Sequence, residues 1–302
     1  MVTDTAIPGT RATPLTLLAI VVTVLAWASA FVVIRAVGEH FSPGALTLGR
    51  LLVGSVVLGA VLLVTRGWVR PSARDWLLLI GCGIAWFAVY NIALNAAELE
   101  LDAGTTAMLV NVGPILIAVL AGTLLHEGIP PWLIGGAVVS LVGVVLISVG
   151  SRGAGGGSGW GIALCLLAAA SYAIGVILQK VVLRRLPALQ VTWIACTIGA
   201  LVCLPFLVQL VDETVAAPAA SVWAVAYLGA VPTALAFTTW AYALSRMPAG
   251  RLGVTTYLVP PLTIGIAWLF LAEVPAPLQV VGGVICLAGV ALSRMPTRRV
   301  RP

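Results

Sequence analysis

Ten apolar stretches follow one another along this chain, at residues 15–37, 45–64, 76–95, 103–125, 132–149, 160–183, 189–211, 221–244, 252–271 and 275–293. Each has the length of about 18 to 24 residues that an α-helix needs to cross the hydrocarbon core of a bilayer. With 61% hydrophobic and 9% charged residues among 302, no water-soluble core could take up these side chains. A transmembrane β-barrel would show segments of about ten residues with strict alternation, where this chain has unbroken runs. The sequence therefore predicts an all-α integral membrane protein of ten transmembrane helices. The first run is longer than a signal-peptide core and precedes no convincing small-residue cleavage site, so it is expected to be retained.

Charge sets the orientation. With the N-terminus in the cytoplasm, 13 of the 16 basic residues lie on that side: Arg11; Arg66, Arg70 and Arg74; Lys180, Arg184 and Arg185; Arg246 and Arg251; and Arg294, Arg298, Arg299 and Arg301. Arg35 and Arg152 fall outside, and Arg50 falls within the membrane. Basic residues retained on the cytoplasmic side orient helices during insertion, so both termini are expected to be cytoplasmic. Topology also accounts for the net charge of +6, and no nucleic-acid partner is expected. Cys82, Cys165, Cys196, Cys203 and Cys286 lie inside apolar runs without the paired spacing of a metal site, so neither metal nor cofactor is expected.

The chain repeats itself. Shifted by 146 residues, 103–147 aligns with 249–293 without a gap, with 14 identities in 45 positions. A chain this rich in Ala, Val, Leu and Gly would give about five by chance. The informative matches are Gly104/Gly250, Pro114/Pro260, Glu127/Glu273, Pro131/Pro277, Gly136/Gly282 and Gly143/Gly289. Earlier parts match more weakly at an offset of 145, pairing Trp27 with Tyr172, Ala28 with Ala173, and Arg35 with Lys180. The repeats span 15–149 and 160–293, joined by a Gly-rich linker at 150–159 and flanked by tails at 1–14 and 294–302. Five is odd, so the second unit enters the membrane upside down. Inverted repeats of this kind can rock about a midplane site and expose it to each side in turn.

The segments AWASAF (26–31), ALTLGRLLVG (45–54), AGTTAMLVNVGPILIAVLAGTLLHE (103–127) and AGRLGVTTYLVPPLTIGIAWLFLAE (249–273) resemble bacterial proteins of the drug/metabolite transporter superfamily with two EamA domains. The resemblance covers nearly the whole chain. It implies a ten-helix basket in the bacterial cytoplasmic (inner) membrane, with a central cavity and small metabolites, often amino acids, as exported cargo. The second half departs from the first in lacking a counterpart to Arg50, since Ala195 stands at that position.

Arg50 lies about 9 Å below the outer end of the second helix, at 1.5 Å per residue. No Asp or Glu lies within the ten runs, so its partner is either a substrate carboxylate or a loop group such as Glu98 reaching in. A structural alternative has Arg50 snorkelling outward or tying down backbone carbonyls. The absence of intramembrane carboxylates favours a carrier running down the metabolite's own gradient over a proton-driven one. Pro114 and Pro260, matched in mid-helix, each remove a backbone donor and are read as hinges facing the cavity, with harmless kinks as the alternative.

Around these prolines the candidate substrate-binding residues are Trp27, Arg50, Trp86, Tyr90, Asn91, Asn95, Thr106, Asn111, Tyr172, Gln179, Trp240, Thr256 and Tyr257. Aromatic residues three, four or seven apart share a helix face, although most such stripes are packing or interfacial anchors. Asn is costly in lipid, which singles out Asn91. Apolar walls with neutral donors and one cation suit a zwitterionic or weakly anionic metabolite with an apolar part. The glycines of helices five and ten are assigned to scaffold or dimer contacts, in a monomer or homodimer. An enzyme would need an acid–base pair, an activated nucleophile or metal ligands, and none is visible, so no catalytic residue is assigned. A lipid-handling flippase and a non-transporting scaffold are the other readings.

Overall fold

Prolines and small polar residues decide where the helices begin. α1 (Pro14–Val37) starts at Thr13, whose hydroxyl accepts from the Thr16 amide, with Pro14 in the first turn where its missing N–H costs nothing. α2 (Pro43–Thr65) likewise has its proline in the first turn, behind Ser42, whose hydroxyl makes no cap bond to the helix. α3 (Ala73–Glu100) opens on a reciprocal cap: Ser72 Oγ accepts from the Asp75 amide at 3.2 Å and the Asp75 carboxylate accepts from the Ser72 amide at 2.8 Å. Arg185 then donates to Asp75 at 2.9 Å, tying this helix start to the second half of the chain.

The computed structural model describes residues 13–100, 106, 109–150, 159–271, 276–293 and 295. After α3 come α4 (Gly113–Leu124), α5 (Pro131–Gly150) and α6 (Gly159–Val182). α7 has two arms, Ala188–Val202 and Leu204–Ala216, meeting at 55°. α8 (Ala219–Leu244) follows, then α9 in two parts, Ala249–Val254 and Val259–Leu271, joined by the 3₁₀ turn Thr255–Leu258, and α10 (Pro277–Ser293). The described residues contain no strand.

Five of these helices (α1, α2, α3, α6 and α8) are long and apolar enough to cross a membrane, and α7 makes a sixth if its bent arms count as one span. α4, α5 and α10 contribute shorter apolar helices. Large apolar side chains face outward all along them, among them Leu63, Val64, Leu77, Val208 and Val215. Such a surface is built for lipid, and the chain is a multi-pass membrane protein. The expected ten crossings thus correspond to five or six uninterrupted spans plus shorter pieces; α9 is broken where its backbone leaves α geometry.

The halves touch through equivalent positions in exchange. Gly136 of α5 faces Gly289 of α10 so closely that a Cβ would lie 2.5 Å from the Gly289 carbonyl oxygen, and a Cβ on Gly143 would lie 2.6 Å from that of Gly282. Since 136 corresponds to 282 and 143 to 289, each contact is the other with the halves interchanged. The same holds for Gly54 against Gly229 and Gly199 against Gly83, both 3.3 Å from Cβ position to carbonyl oxygen. Such reciprocity is the mark of a two-fold relation. Gly136, Gly143, Gly282 and Gly289 therefore serve contact within one chain, the scaffold role.

Candidate functional site

A cavity opens between the halves, with about 700 Å³ of empty space including its mouth. Its walls are Trp27, Ala30, Phe31 and Ile34 of α1, Arg50 of α2, Trp86, Tyr90, Asn91 and Leu94 of α3, Val110, Asn111 and Pro114 at the start of α4, Tyr172 of α6, Phe237 of α8, and Thr256 and Val259 of α9. Residues from the second half of α1, the first half of α2 and the second half of α3 place its mouth toward the α1–α2 turn.

At the far end the cavity closes on an aromatic floor. Trp27 packs on Trp240 with ring centroids 5.1 Å apart and on Phe237 at 5.5 Å; Trp86 lies 4.9 Å from Phe237 and 5.3 Å from Tyr172. Tyr90 continues the sheet of rings at 5.7 Å from Tyr172. With Phe87, 4.5 Å from Phe237, seven rings from α1, α3, α6 and α8 meet here, because Trp86 and Tyr90, and Phe237 and Trp240, each share one helix face.

Arg50 is the cation in this apolar wall. It is 5% exposed, and its Nε donates to Thr233 Oγ1 at 3.1 Å. Among the described residues no carboxylate lies within ion-pair distance of it. Glu98 belongs to the last turn of α3, not to a loop, and exerts its pull on Arg35 and Arg50 from beyond that distance. The guanidinium is thus held at one nitrogen, in a residue that lines the cavity.

Two deformed turns shape these walls. Gly83–Val89 in α3 and Gly229–Leu235 in α8 are π-helical, and the two segments correspond at an offset of 146 residues. A π turn leaves carbonyls without their usual partners. Asn91 Nδ2 donates to Trp86 O at 3.1 Å and Phe87 O at 2.9 Å; in α8, Trp27 Nε1 donates to Pro232 O at 3.2 Å and Thr233 Oγ1 to Leu228 O at 2.8 Å. Trp86 and Pro232 are equivalent positions, repaired by different side chains. Asn91, singled out from sequence as a ligand, spends its amide hydrogens on its own backbone.

The matched prolines stand at matched breaks. Both α4 and the second part of α9 restart there, so Pro114 and Pro260 occupy first turns instead of removing mid-helix hydrogen bonds. Tyr257 OH donates to Asn111 O at 2.9 Å, bridging the two breaks at positions that are themselves repeat-equivalent.

Of the predicted residues, Trp27, Arg50, Trp86, Tyr90, Asn91, Asn111, Tyr172 and Thr256 line the cavity, with Pro114. Asn95 lies outside it, donating to Thr47 Oγ1 at 3.1 Å and, more weakly, to Pro43 O. Thr106, Gln179, Tyr257 and Pro260 are also buried away from the lining, and Trp240 forms the layer of the aromatic floor behind Trp27. Sequence reasoning missed the apolar lining of Ala30, Phe31, Ile34, Leu94, Val110 and Val259. It also missed Thr233, the anchor of Arg50, for which the only sequence signal is Pro232 beside it.

A duplicated membrane bundle folded around an aromatic cavity with a single basic residue defines the class: a solute transporter. The chain belongs to the EamA-like transporter family, whose model matches residues 14–149 and 159–295, one copy per half. It is 35% identical over 276 residues, covering 91% of both chains, to a protein of Streptantibioticus cattleyicolor named "Probable terminal-alkyne amino-acid exporter". A Bacillus subtilis relative, "Uncharacterized transporter YdfC", is 33% identical over 91% of this chain and 89% of its own. An "Aromatic amino acid exporter YddG" from Ancylobacter novellus is 28% identical over 76% of this chain and 79% of its own. A solved crystal structure superposes with a TM-score of 0.79 over 95% of this chain and 99% of its own at 22% identity, which supports the fold.

Proposed function

We propose that this transporter exports small amino acids or related zwitterions with apolar side chains across a bacterial inner membrane. One central cavity is exposed alternately to each side, in a ten-span topology with both termini cytoplasmic. The observation that carries this reading is Arg50, a cation lining an aromatic-walled cavity without a carboxylate at ion-pair distance among the described residues. A substrate carboxylate completes that charge while the rings receive the apolar part. Relatives named as exporters of terminal-alkyne and aromatic amino acids support the same chemistry. Transport runs down the metabolite's own gradient.

The test is a sensitivity screen of toxic apolar amino-acid analogues in cells with and without the transporter. Expression raises tolerance, and Arg50→Gln abolishes the gain at unchanged membrane level and melting temperature. Tolerance that survives Arg50→Gln removes Arg50 from the site.

A further inference from the structure

Beyond the aromatic floor, toward the α6–α7 and α8–α9 turns, buried polar groups are not all paired. Gln179 is fully buried, and neither its Nε2 nor its Oε1 has a hydrogen-bond partner among the described residues. Trp240, 1% exposed, has an Nε1 likewise without an acceptor. Native proteins rarely bury such groups, and each instance needs an explanation. Gln179 follows Tyr172 by seven residues, so it lies on the same face of α6, about 10 Å beyond the cavity wall. Trp240 is itself part of the floor and stands one turn before Leu244.

Next to these groups is a shielded clasp. Lys180 Nζ lies 3.6 Å from Glu127 Oε1, the two side chains only 13% and 14% exposed. The same ammonium donates to Leu244 O at 2.5 Å and Met247 O at 2.6 Å, while Glu127 Oε2 accepts from the Ala249 amide at 2.6 Å. One cation and one carboxylate thereby hold together the end of α6, the segment after α4, the end of α8 and the start of α9. The other ion pair among the described residues, Arg185 with Asp75, has its Arg side chain 58% exposed.

We infer that Gln179 and Trp240 line the cytoplasmic half of the substrate path, shut in this conformation by the Lys180–Glu127 clasp. When the clasp opens, the Gln179 carbonyl oxygen accepts from an ammonium group, and its amide with the Trp240 indole N–H donates to a carboxylate. The groups left unpaired in the closed state are those a zwitterion needs on its way to the cavity. This rests on the transport reading above, with the α6–α7 end as the cytoplasmic one.

The experiment uses the full-length protein in inside-out and right-side-out vesicles with a membrane-impermeant maleimide. Gln179→Cys should label slowly from both faces, and adding Lys180→Ala or Glu127→Gln should raise labelling from the cytoplasmic face at least tenfold. Lys180→Arg keeps the charge and should keep labelling slow. Labelling already fast in Gln179→Cys alone, or unmoved by both clasp variants, overturns the inference. The assay needs no substrate, so its failure is distinct from a failure to export amino acids. Gln179→Leu provides a second readout: removing the unpaired amide should raise the melting temperature while lowering export at least tenfold. A structural glutamine would not move the two in opposite directions, and unchanged export in this variant also overturns the role.

Discussion

Asn91 and Thr233 hold the deformed turns that give the cavity its shape. Asn91 caps two carbonyls of α3, and Thr233 relays between Arg50 and the Leu228 carbonyl of α8. Leaving a buried carbonyl unpaired costs about 1–3 kcal/mol. Asn91→Leu, similar in size but unable to donate, is therefore expected to lower the melting temperature in detergent by several degrees, checked by a fluorescence melt beside Arg50→Gln, which should melt as the parent does. The sequence exposed both Asn91 and Arg50 through one argument, the cost of polar groups in lipid. It could not assign Asn91 to the backbone, because the need for a cap arises from a π turn with no local signature. Arg50 was legible because a guanidinium has no such self-contained solution.

At the scale of elements, the close crossing of α5 and α10 gives a sharp contrast between neighbouring glycines. A Cβ on Gly136 would sit 2.5 Å from backbone atoms of α10, whereas one on Gly135 meets nothing within 4 Å. Gly136→Ala should therefore drive the helices apart and lower the melting temperature and membrane level. Gly135→Ala should be neutral or stabilising, by up to about 1 kcal/mol from helix propensity. Paired melts of the two variants check this, and equal behaviour would contradict the packing. The repeat made these glycines visible in sequence but left open whether they served a scaffold or a dimer; that required seeing which helix faced them. Similarly, Pro114 and Pro260 were visible as a matched pair, but whether each interrupted a helix or began one depends on the residues before them, Asn111–Val112 and Thr255–Leu258.

For the whole molecule, apolar run lengths and the 146-residue repeat carried most of the architecture, since lipid imposes length and duplication imposes symmetry. The reciprocal contacts Gly136–Gly289 with Gly143–Gly282, and Gly54–Gly229 with Gly199–Gly83, are that symmetry in atoms. Legibility ended where the halves diverge: the cavity lies on one side of the aromatic floor, with Arg50 in one half and the unpaired Gln179 and Trp240 in the other. Two related halves with unequal polar groups suit a single site reached from either side. The most direct measurement is counterflow of labelled amino acids in proteoliposomes holding the purified transporter, run beside labelled lipid. Saturable accumulation of apolar amino acids is expected, abolished by Arg50→Gln at an unchanged melting temperature, with no movement of lipid. Undiminished accumulation in Arg50→Gln, or lipid movement in place of amino-acid exchange, would contradict it.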